Sequence, residues 1–334
     1  MQSLRQSWFL FGIVAVFALA VAWPGAAAPG GPLFIGGWQD ALFVVMFLAT
    51  GVSLRTSELG AALGHWRLHL LTQGFNLGLV PLAAAACDPL LAWCGVPAAW
   101  RLGILVTMCL PMTISSCVLL TRLAGGSEAA ALTQATLGGL LGIVVTPLLL
   151  LVLAHGSADI HAVTAIIHLL KVVALPVALG QVLQRLTPGI IAWRGALNQL
   201  STVALLINLH QAFCLSFAQP GMRLDLDLLL LVLGMGTAHL ALFAAAATAA
   251  RWPGWRLDRG ERIAVAICAS HKTAALGIPL ISVLFRGNPD LGLIMLPLVA
   301  FHIAENLIDG VLATWIRRRG ADAGTASASR CGSA

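Results

Sequence analysis

Apolar residues occur in ten long runs along the chain, separated by short stretches that contain Gly, Pro and charged residues. A helix needs about 20 apolar residues to cross the hydrocarbon core of a bilayer. The pattern therefore predicts ten transmembrane helices joined by short loops. The predicted spans are Ser7–Trp23, Gln39–Leu54, Trp66–Ala86, Ala99–Leu123, Glu128–Ala154, His161–Leu186, Leu197–Phe217, Leu226–Ala249, Gly260–Phe285 and Leu291–Ile316.

Composition agrees with an all-α integral membrane protein and excludes the soluble classes. Of the 334 residues, 59% are hydrophobic and 10% are charged, whereas a soluble domain carries about 25% charged residues. The apolar content also excludes a disordered chain, and no length remains for a separate catalytic or nucleic-acid-binding domain. We expect one transmembrane domain over residues 1–318 and a disordered cytoplasmic tail over 319–334, which is rich in Ala, Gly and Ser.

Basic residues are distributed unequally between the two sides of the predicted spans. Fourteen of the nineteen Lys and Arg residues fall in the N-terminus, the even-numbered loops and the C-terminus. The positive-inside rule then places both termini in the cytoplasm. As location we expect the plasma membrane, which is the inner membrane of a bacterium. The start of the chain has a second reading as a signal peptide, cleaved near Ala26–Ala28, which would leave nine spans.

Ten spans divide into two sets of five, and an odd number of spans per repeat makes the second set inverted relative to the first. Inverted repeats with discontinuous helices are typical of secondary transporters. Spans four and nine, which correspond in the two sets, both contain polar residues next to proline. Unwound backbone at membrane depth is tolerated only where protein or a wet cavity satisfies it, so we interpret both as broken helices.

In span four, Pro111 lacks an N–H and is followed by Thr113, Ser115 and Ser116. The proline removes one helical hydrogen bond, and the hydroxyl groups after it can line a cavity. Simple proline kinks with Ser and Thr bonded back to their own helix are the structural alternative.

Span nine carries Ser270, His271, Lys272 and Thr273, and Gly277 and Pro279 weaken the helix beyond them. A lysine at the middle of a span costs at least about 3 kcal/mol unless it is paired, hydrated or neutral. We expect Glu305 or Asp309 to provide its counter-charge.

Other polar residues form stripes on predicted helices. Gln73 and Asn76 share one face of span three with His69, and Glu305 and Asp309 share one face of span ten with His302 and Asn306. These groups can bind ions or bond between helices. Glu128 can cap the fifth span together with Ser127, pair with Arg122, or bind an ion. The candidate ion- and substrate-binding residues are Gln73, Asn76, Thr113, Ser115, Ser116, Glu128, Ser270, His271, Lys272, Thr273, Glu305 and Asp309.

Four stretches resemble the bile acid:sodium symporter superfamily, in particular its bacterial branch related to the seventh member of vertebrate solute carrier family 10. The stretches are Phe47–Arg55, Pro111–Ser116, Thr121–Ala129 and Ser270–Leu280. The resemblance extends from about Trp38 to Trp315. It implies ten helices in two inverted repeats, a core subdomain with two broken crossing helices, a panel subdomain, and sodium-driven transport of an organic anion.

The resemblance also implies roles for particular residues. Ser115 and Ser116 fall where the superfamily places sodium ligands. The bile-acid branch carries a glutamate and a glutamine near the second crossing point, where this chain has Ser270, His271 and Lys272. Lys272 is thus a candidate to replace a sodium ion or to gate a proton, which leaves the coupling ion open between sodium, a proton and none.

Partners and alternatives follow from the same features. We expect a small organic anion as substrate, contact with membrane lipid, no nucleic acid and no cofactor beyond the coupling ion; a homodimer is compatible with the sequence. An intramembrane enzyme using His271, His302 and Glu305, and a non-transporting regulator of ion homeostasis, are the competing classes. The seven cysteines include no CxxC pair, but Cys87 and Cys94 share a loop and could form a disulfide.

Overall fold

The computed structural model describes residues 2–53, 65–154, 167–168, 170–218, 226–285, 288 and 290–331. Within them the fold is helical, and we number its α-helices in chain order. They are α1 (Gln2–Ala22), α2 (Gln39–Ser53), α3 (Trp66–Trp93, with a π-helical stretch at Gly74–Leu79), α4 (Ala98–Cys109), α5 (Ile114–Leu123), α6 (Glu128–Leu153), α7 (Leu175–Leu186, after a π-helical turn at Leu170–Ala174), α8 (Arg194–Phe217), α9 (Leu226–Ala249), α10 (Arg259–Ser270), α11 (Ala274–Leu284) and α12 (Leu291–Cys331).

Among the described residues, six helical segments are long and apolar enough to cross a membrane, and the bent pair α4–α5 makes a seventh. The chain is therefore an all-helical, multi-pass membrane protein. Each predicted span overlaps a described helix, but helices such as α2, at 15 residues, are shorter than a full crossing. The predicted limits Leu54 and His161 lie outside the described residues. The ten-span inverted repeat remains a prediction.

At the starts of α10 and α6, residues that favour the N-cap position form the capping hydrogen bonds. Asp258 and Glu261 form a reciprocal capping box at the start of α10, with each side chain accepting from the other residue's backbone N–H. The Ser127 hydroxyl accepts a hydrogen bond from the N–H of Ala130 at 3.2 Å and caps α6. Such caps satisfy donors that the first helical turn leaves free.

The helices pack in two groups. The first contains α1, α2, α7 and α8, and the second contains α3–α6 and α9–α12. In the first group, Gly51 on α2 and Gly180 on α7 let the two backbones meet, because a Cβ at Gly51 would lie 2.3 Å from the carbonyl oxygen of Val177. Close approach through small residues is the usual basis of helix packing in membranes. Contact between α8 and α12 joins the groups.

Two features differ from the sequence expectations. Span nine is interrupted at His271–Thr273, whereas Pro279 lies inside α11 and does not break it. Pro279 is in the second turn of a helix that begins at Ala274, so it removes only one hydrogen bond. The helix α12 continues through Cys331, across the segment for which composition predicts disorder; Ala favours helix locally, and the disorder of that tail stays a prediction.

Candidate ion and substrate site

Two unwound segments cross inside the second group of helices. Residues 110–113 separate α4 from α5, which are bent by 68° relative to each other, and residues 271–273 separate α10 from α11. The N–H of Thr273 donates to the carbonyl of Pro111 at 2.8 Å, and the Thr113 hydroxyl donates to the carbonyl of Lys272 at 3.1 Å. Each break thus satisfies backbone groups that the other leaves free, which unwound backbone at membrane depth requires.

The break at Pro111 depends on a glycine of the neighbouring helix α6. A Cβ at Gly142 would lie 2.3 Å from Cγ of Pro111, well inside ordinary contact distance. Only glycine therefore leaves space for the proline ring at this point.

The Lys272 side chain is fully buried beside the crossing. Its Nζ donates to the carbonyl oxygens of Asn76 at 2.9 Å, Met108 at 2.8 Å and Leu110 at 2.9 Å. The ends of α4 and the π-helical stretch of α3 make these carbonyls available. The three oxygens use the full donor capacity of an ammonium group.

The predicted counter-charge is placed differently from our expectation. Glu305 Oε2 accepts a hydrogen bond at 2.9 Å from the backbone N–H of Lys272, whereas the hydrogen bonds of Nζ go to carbonyl oxygens. Carbonyl oxygens at the end of α4 and in the π-helical stretch of α3 take all three donors of Nζ. Glu305 stabilises the unwound segment itself.

Asn76 on α3 stabilises the second break, whereas Gln73 on the same helix bonds to α6. Asn76 Nδ2 donates to the carbonyls of Ala269 at 2.9 Å and His271 at 3.0 Å. Gln73 Nε2 donates to the backbone and side-chain oxygens of Gln134. The side-chain oxygens of Gln73 and Asn76 are buried without a hydrogen-bond partner, so both amides have an unused acceptor.

Three histidines and two carboxylates form a continuous chain next to Lys272, which we call the histidine–carboxylate chain. Asp309 accepts from Nε2 of His239 at 2.7 Å and of His271 at 2.9 Å. Glu305 Oε1 lies 2.7 Å from Nδ1 of His302 and 3.6 Å from Nδ1 of His271. The predicted stripe on α12 thus faces inward at His302, Glu305 and Asp309, while Asn306 bonds back to the carbonyl of His302.

The remaining predicted site residues lie around the crossing or away from it. Ser115 is exposed and Ser116 is buried in the first turn of α5. The Ser270 hydroxyl bonds back to the carbonyl of Ala266 at 2.9 Å. Glu128 is ion-paired with Arg122 at 2.6 Å at the far end of α5, so the structure does not bring it to the other candidates.

The half-helices α5 and α11 both begin at the crossing. Their N-cap residues are Thr113 and Thr273, and neither side chain caps its helix. Free N–H groups and the positive end of the helix dipole are favourable to anions. The crossing therefore combines carbonyl oxygens that suit a cation with N–H groups that suit an anion.

A separate apolar cavity of about 550 Å³ lies between α3, α4 and α9. Its lining includes Cys87 and Cys94, both free thiols, so the disulfide considered from the sequence is not formed. Met108 lines this cavity and binds Lys272 through its carbonyl.

Sequence reasoning missed two residues of the site, His239 and Gln134. His239 is fully buried on α9 and bonds to Asp309, and Gln134 on α6 bonds to Gln73 and His69. A signal existed, because polar residues inside apolar spans are rare and usually functional. Each is the only histidine or amide side chain on its helix, however, so no periodic stripe marked it.

The geometry defines a helical membrane protein with a discontinuous-helix centre, as membrane transporters have. The model of the SBF-like CPA transporter family matches residues 7–318, and the chain belongs to this family. It is 34% identical over 322 residues to sodium/bile acid cotransporter 7 of Danio rerio, covering 94% of this chain and 96% of the relative. It is 31% identical to the cotransporter 7 of Mus musculus over 94% of this chain and 93% of the relative.

A bacterial relative is similar over the same range. An uncharacterized protein of Pseudomonas aeruginosa is 31% identical over 329 residues, covering 96% of this chain and 96% of that protein. The family and the relatives named as cotransporters are transporters, not enzymes. The predicted resemblance is thereby confirmed at the level of the family.

Proposed function

We propose that the chain is a secondary active transporter that carries a small organic anion by alternating access, with sodium as coupling ion. The observation that carries the proposal is the crossing of two unwound segments, bonded between Thr273 and Pro111. In this proposal the ten predicted spans all cross the membrane as two inverted sets of five. The helices α1, α2, α7 and α8 form the panel, and the second group of helices forms the core.

In the proposed site, cation and anion meet at the crossing. Ser115 and Ser116 supply hydroxyl oxygens to sodium, as the family resemblance implies, and the exposed side of Ser115 leaves room for the ion to enter. The half-helix starts at Ile114 and Ala274 attract the substrate's anionic group. Relatives named as sodium/bile acid cotransporters make bile acids a first probe, together with short carboxylates.

Lys272 occupies a position suited to a second cation. Three carbonyl oxygens at 2.8–2.9 Å surround its ammonium group, and carbonyl groups can replace the hydration shell of an ion. We propose that this tethered charge takes the place of one coupling ion, so that sodium binds only at Ser115 and Ser116.

The first test is the melting temperature of the detergent-purified protein in NaCl, KCl and choline chloride at fixed ionic strength and pH. A bound ion stabilises by RT ln(1 + [L]/Kd), about 2.7 kcal/mol at 100 Kd. We expect a rise in NaCl that Ser115→Ala removes and Ser201→Ala, on α8, retains. Equal melting temperatures in the three salts would exclude sodium binding at this site.

Transport itself is tested by uptake of a labelled bile acid or a pool of short carboxylates into proteoliposomes with an inward sodium gradient. Accumulation that collapses when sodium is equal on both sides would support the carrier. A purified protein that binds sodium but moves none of these anions would favour the non-transporting regulator instead.

A further inference from the structure

In the sodium mechanism proposed above, Glu305 only accepts from the Lys272 N–H, and the burial of the whole histidine–carboxylate chain requires a further account. His239, His271 and Glu305 are fully buried, Asp309 is 1% exposed and His302 is 5% exposed. Burial of a charge is costly unless another charge and hydrogen bonds compensate it. The histidine rings lie 2.7–3.6 Å from the carboxylate oxygens, so these side chains compensate one another.

The charges of the cluster do not balance without an additional proton. Lys272 contributes one positive charge and the carboxylates of Glu305 and Asp309 contribute two negative charges. Among the described residues, the other titratable groups that face the cluster are three thiols, which are neutral when protonated. They are Cys117 on α5, Cys268 on α10 and Cys109 on α4, the last of which lies beside Lys272. Three neutral histidines would therefore leave one net negative charge in the membrane interior, and one extra proton on an imidazole removes it.

His271 is the imidazole best placed to hold that proton. It lies between both carboxylates, with Nε2 at 2.9 Å from Asp309 and Nδ1 at 3.6 Å from Glu305. A neutral imidazole has one N–H and one lone pair, so either tautomer of His271 turns a lone pair toward a carboxylate. An imidazolium turns an N–H toward each carboxylate: Nε2–H donates to Asp309, and Nδ1–H faces Glu305 at ion-pair distance without forming a hydrogen bond. By contrast, the hydrogen bond of His239 to Asp309 uses one ring nitrogen, which a neutral tautomer provides.

His271 also belongs to the segment that alternating access would displace. It is the first residue of the unwound stretch 271–273, and its carbonyl accepts from Asn76. Loss of its proton would leave a net negative charge that is stable only if the cluster gains access to water. Protonation of His271 and the position of segment 271–273 are therefore linked. The proton acts as a ligand that favours the buried position of the segment, because it binds that position more tightly than a water-exposed one.

We propose that His271, between Asp309 and Glu305, is a proton-binding site, and that its proton is bound and released during the transport cycle. The inference rests on the proposed carrier function and adds a proton to its coupling ions. The bound proton resides on Nδ1, facing Glu305, while Nε2–H donates to Asp309.

Nitrogen NMR of the full chain, labelled with ¹⁵N-histidine and reconstituted in lipid, tests the site directly at pH 8. An exposed histidine with a pKa of about 6.5 is almost entirely neutral at this pH. We expect one imidazolium signal in the wild type and in the control His65→Gln, whose side chain is 67% exposed, and none in His271→Gln. Absence of the signal from the wild type, or its persistence in His271→Gln, would overturn the proposal.

A second variant covers the case that His271→Gln does not fold. Asp309→Asn keeps the shape of the side chain and removes one negative charge, so the cluster balances without an extra proton. We expect the imidazolium signal to disappear in Asp309→Asn as well. Retention of the signal in a folded Asp309→Asn protein would show that charge balance does not hold the proton, contrary to the proposal.

Proteoliposome uptake then separates this inference from the carrier function. With a bile acid or short carboxylates as probe and no sodium gradient, an inward proton gradient of about one pH unit should support up to about tenfold accumulation per proton. His271→Gln should abolish this response. Uptake that does not depend on the pH gradient would overturn the proton coupling. Absence of uptake under any gradient would overturn the carrier function, and the NMR result alone would then decide whether His271 is a proton-binding site.

Discussion

Lys272 shows how a single residue can occupy the position of an ion in a membrane protein. Its ammonium nitrogen has three carbonyl neighbours and is fully buried. The side chain therefore satisfies two backbone oxygens at the end of α4 and one in the π-helical stretch of α3. This explains why a residue that is costly at membrane depth is tolerated here.

Replacement of Lys272 by alanine should destabilise the protein and create a cation-dependent stability. Each orphaned buried carbonyl costs about 1–3 kcal/mol, so we expect a lower melting temperature in choline chloride. Because the vacated space is surrounded by carbonyl oxygens, ammonium or an alkali cation should restore part of the loss. The measurement is the melting temperature of Lys272→Ala in ammonium, sodium, potassium and choline chloride.

Lys171→Ala provides the matched control, since Lys171 is an exposed lysine in a π-helical turn. It should melt as the wild type does in all four salts. If Lys272→Ala loses stability equally in every salt, the carbonyl oxygens do not form a cation site, and the interpretation of Lys272 as an ion substitute is wrong.

Still at the scale of residues, the helical spacing of polar residues on α12 predicts which of its side chains belong to the site. The spacing of His302, Glu305 and Asp309 predicts one face, and these residues are buried together. The contact of Asp309 with His239 joins positions 70 residues apart. No local pattern specifies such a pair, because it depends on how α9 and α12 pack.

At the scale of the elements, the break between α4 and α5 depends on a contact with α6. Gly142→Ala should destabilise the fold by about 1–3 kcal/mol, because its Cβ would overlap the Pro111 ring and overpacking has this cost. Gly139→Ala, on the same helix with nothing within 4 Å of the added Cβ, should be neutral or slightly stabilising. Melting temperatures of both variants provide the comparison, and equal values would show that Gly142 does not position the break.

The two breaks differ in how far sequence predicts them. Pro111 marks the first break by its missing N–H, and the structure confirms an unwound segment there. The second break lies at His271–Thr273 rather than at Gly277 and Pro279. Its unwound backbone is stabilised by the distant residues Pro111, Asn76 and Glu305, and these contacts do not exist until the helices have packed.

At the scale of the whole molecule, the two groups of helices meet mainly through α8 and α12. Each group has internal contacts between small residues, such as Gly51 on α2 and Gly103 on α4, where an added Cβ would lie within 2.3 Å of the backbone of a neighbouring helix. Packing of this kind makes each group rigid. Relative motion of two rigid groups is what alternating access about a central site requires.

The predicted orientation of the molecule can be tested with its own cysteines. Cys87 and Cys94 are exposed free thiols near the connection between α3 and α4, which the distribution of basic residues places outside the cytoplasm. Cys331 lies at the C-terminal end, which the same rule places inside. A membrane-impermeant maleimide applied to intact spheroplasts should therefore label the wild type and Cys331→Ser.

The double variant Cys87→Ser/Cys94→Ser should react only after the membrane is permeabilised, because the reagent must then reach Cys331 from the cytoplasmic side. The buried thiols Cys109, Cys117, Cys214 and Cys268 should contribute little to either signal. Labelling of the double variant in sealed spheroplasts would place the C-terminus outside. Cleavage of the first span would leave an odd number of crossings and would not change these labelling results. It would, however, expose the new N-terminus to an amine reagent added outside the cell. The maleimide and the amine reagent together therefore distinguish the two topologies.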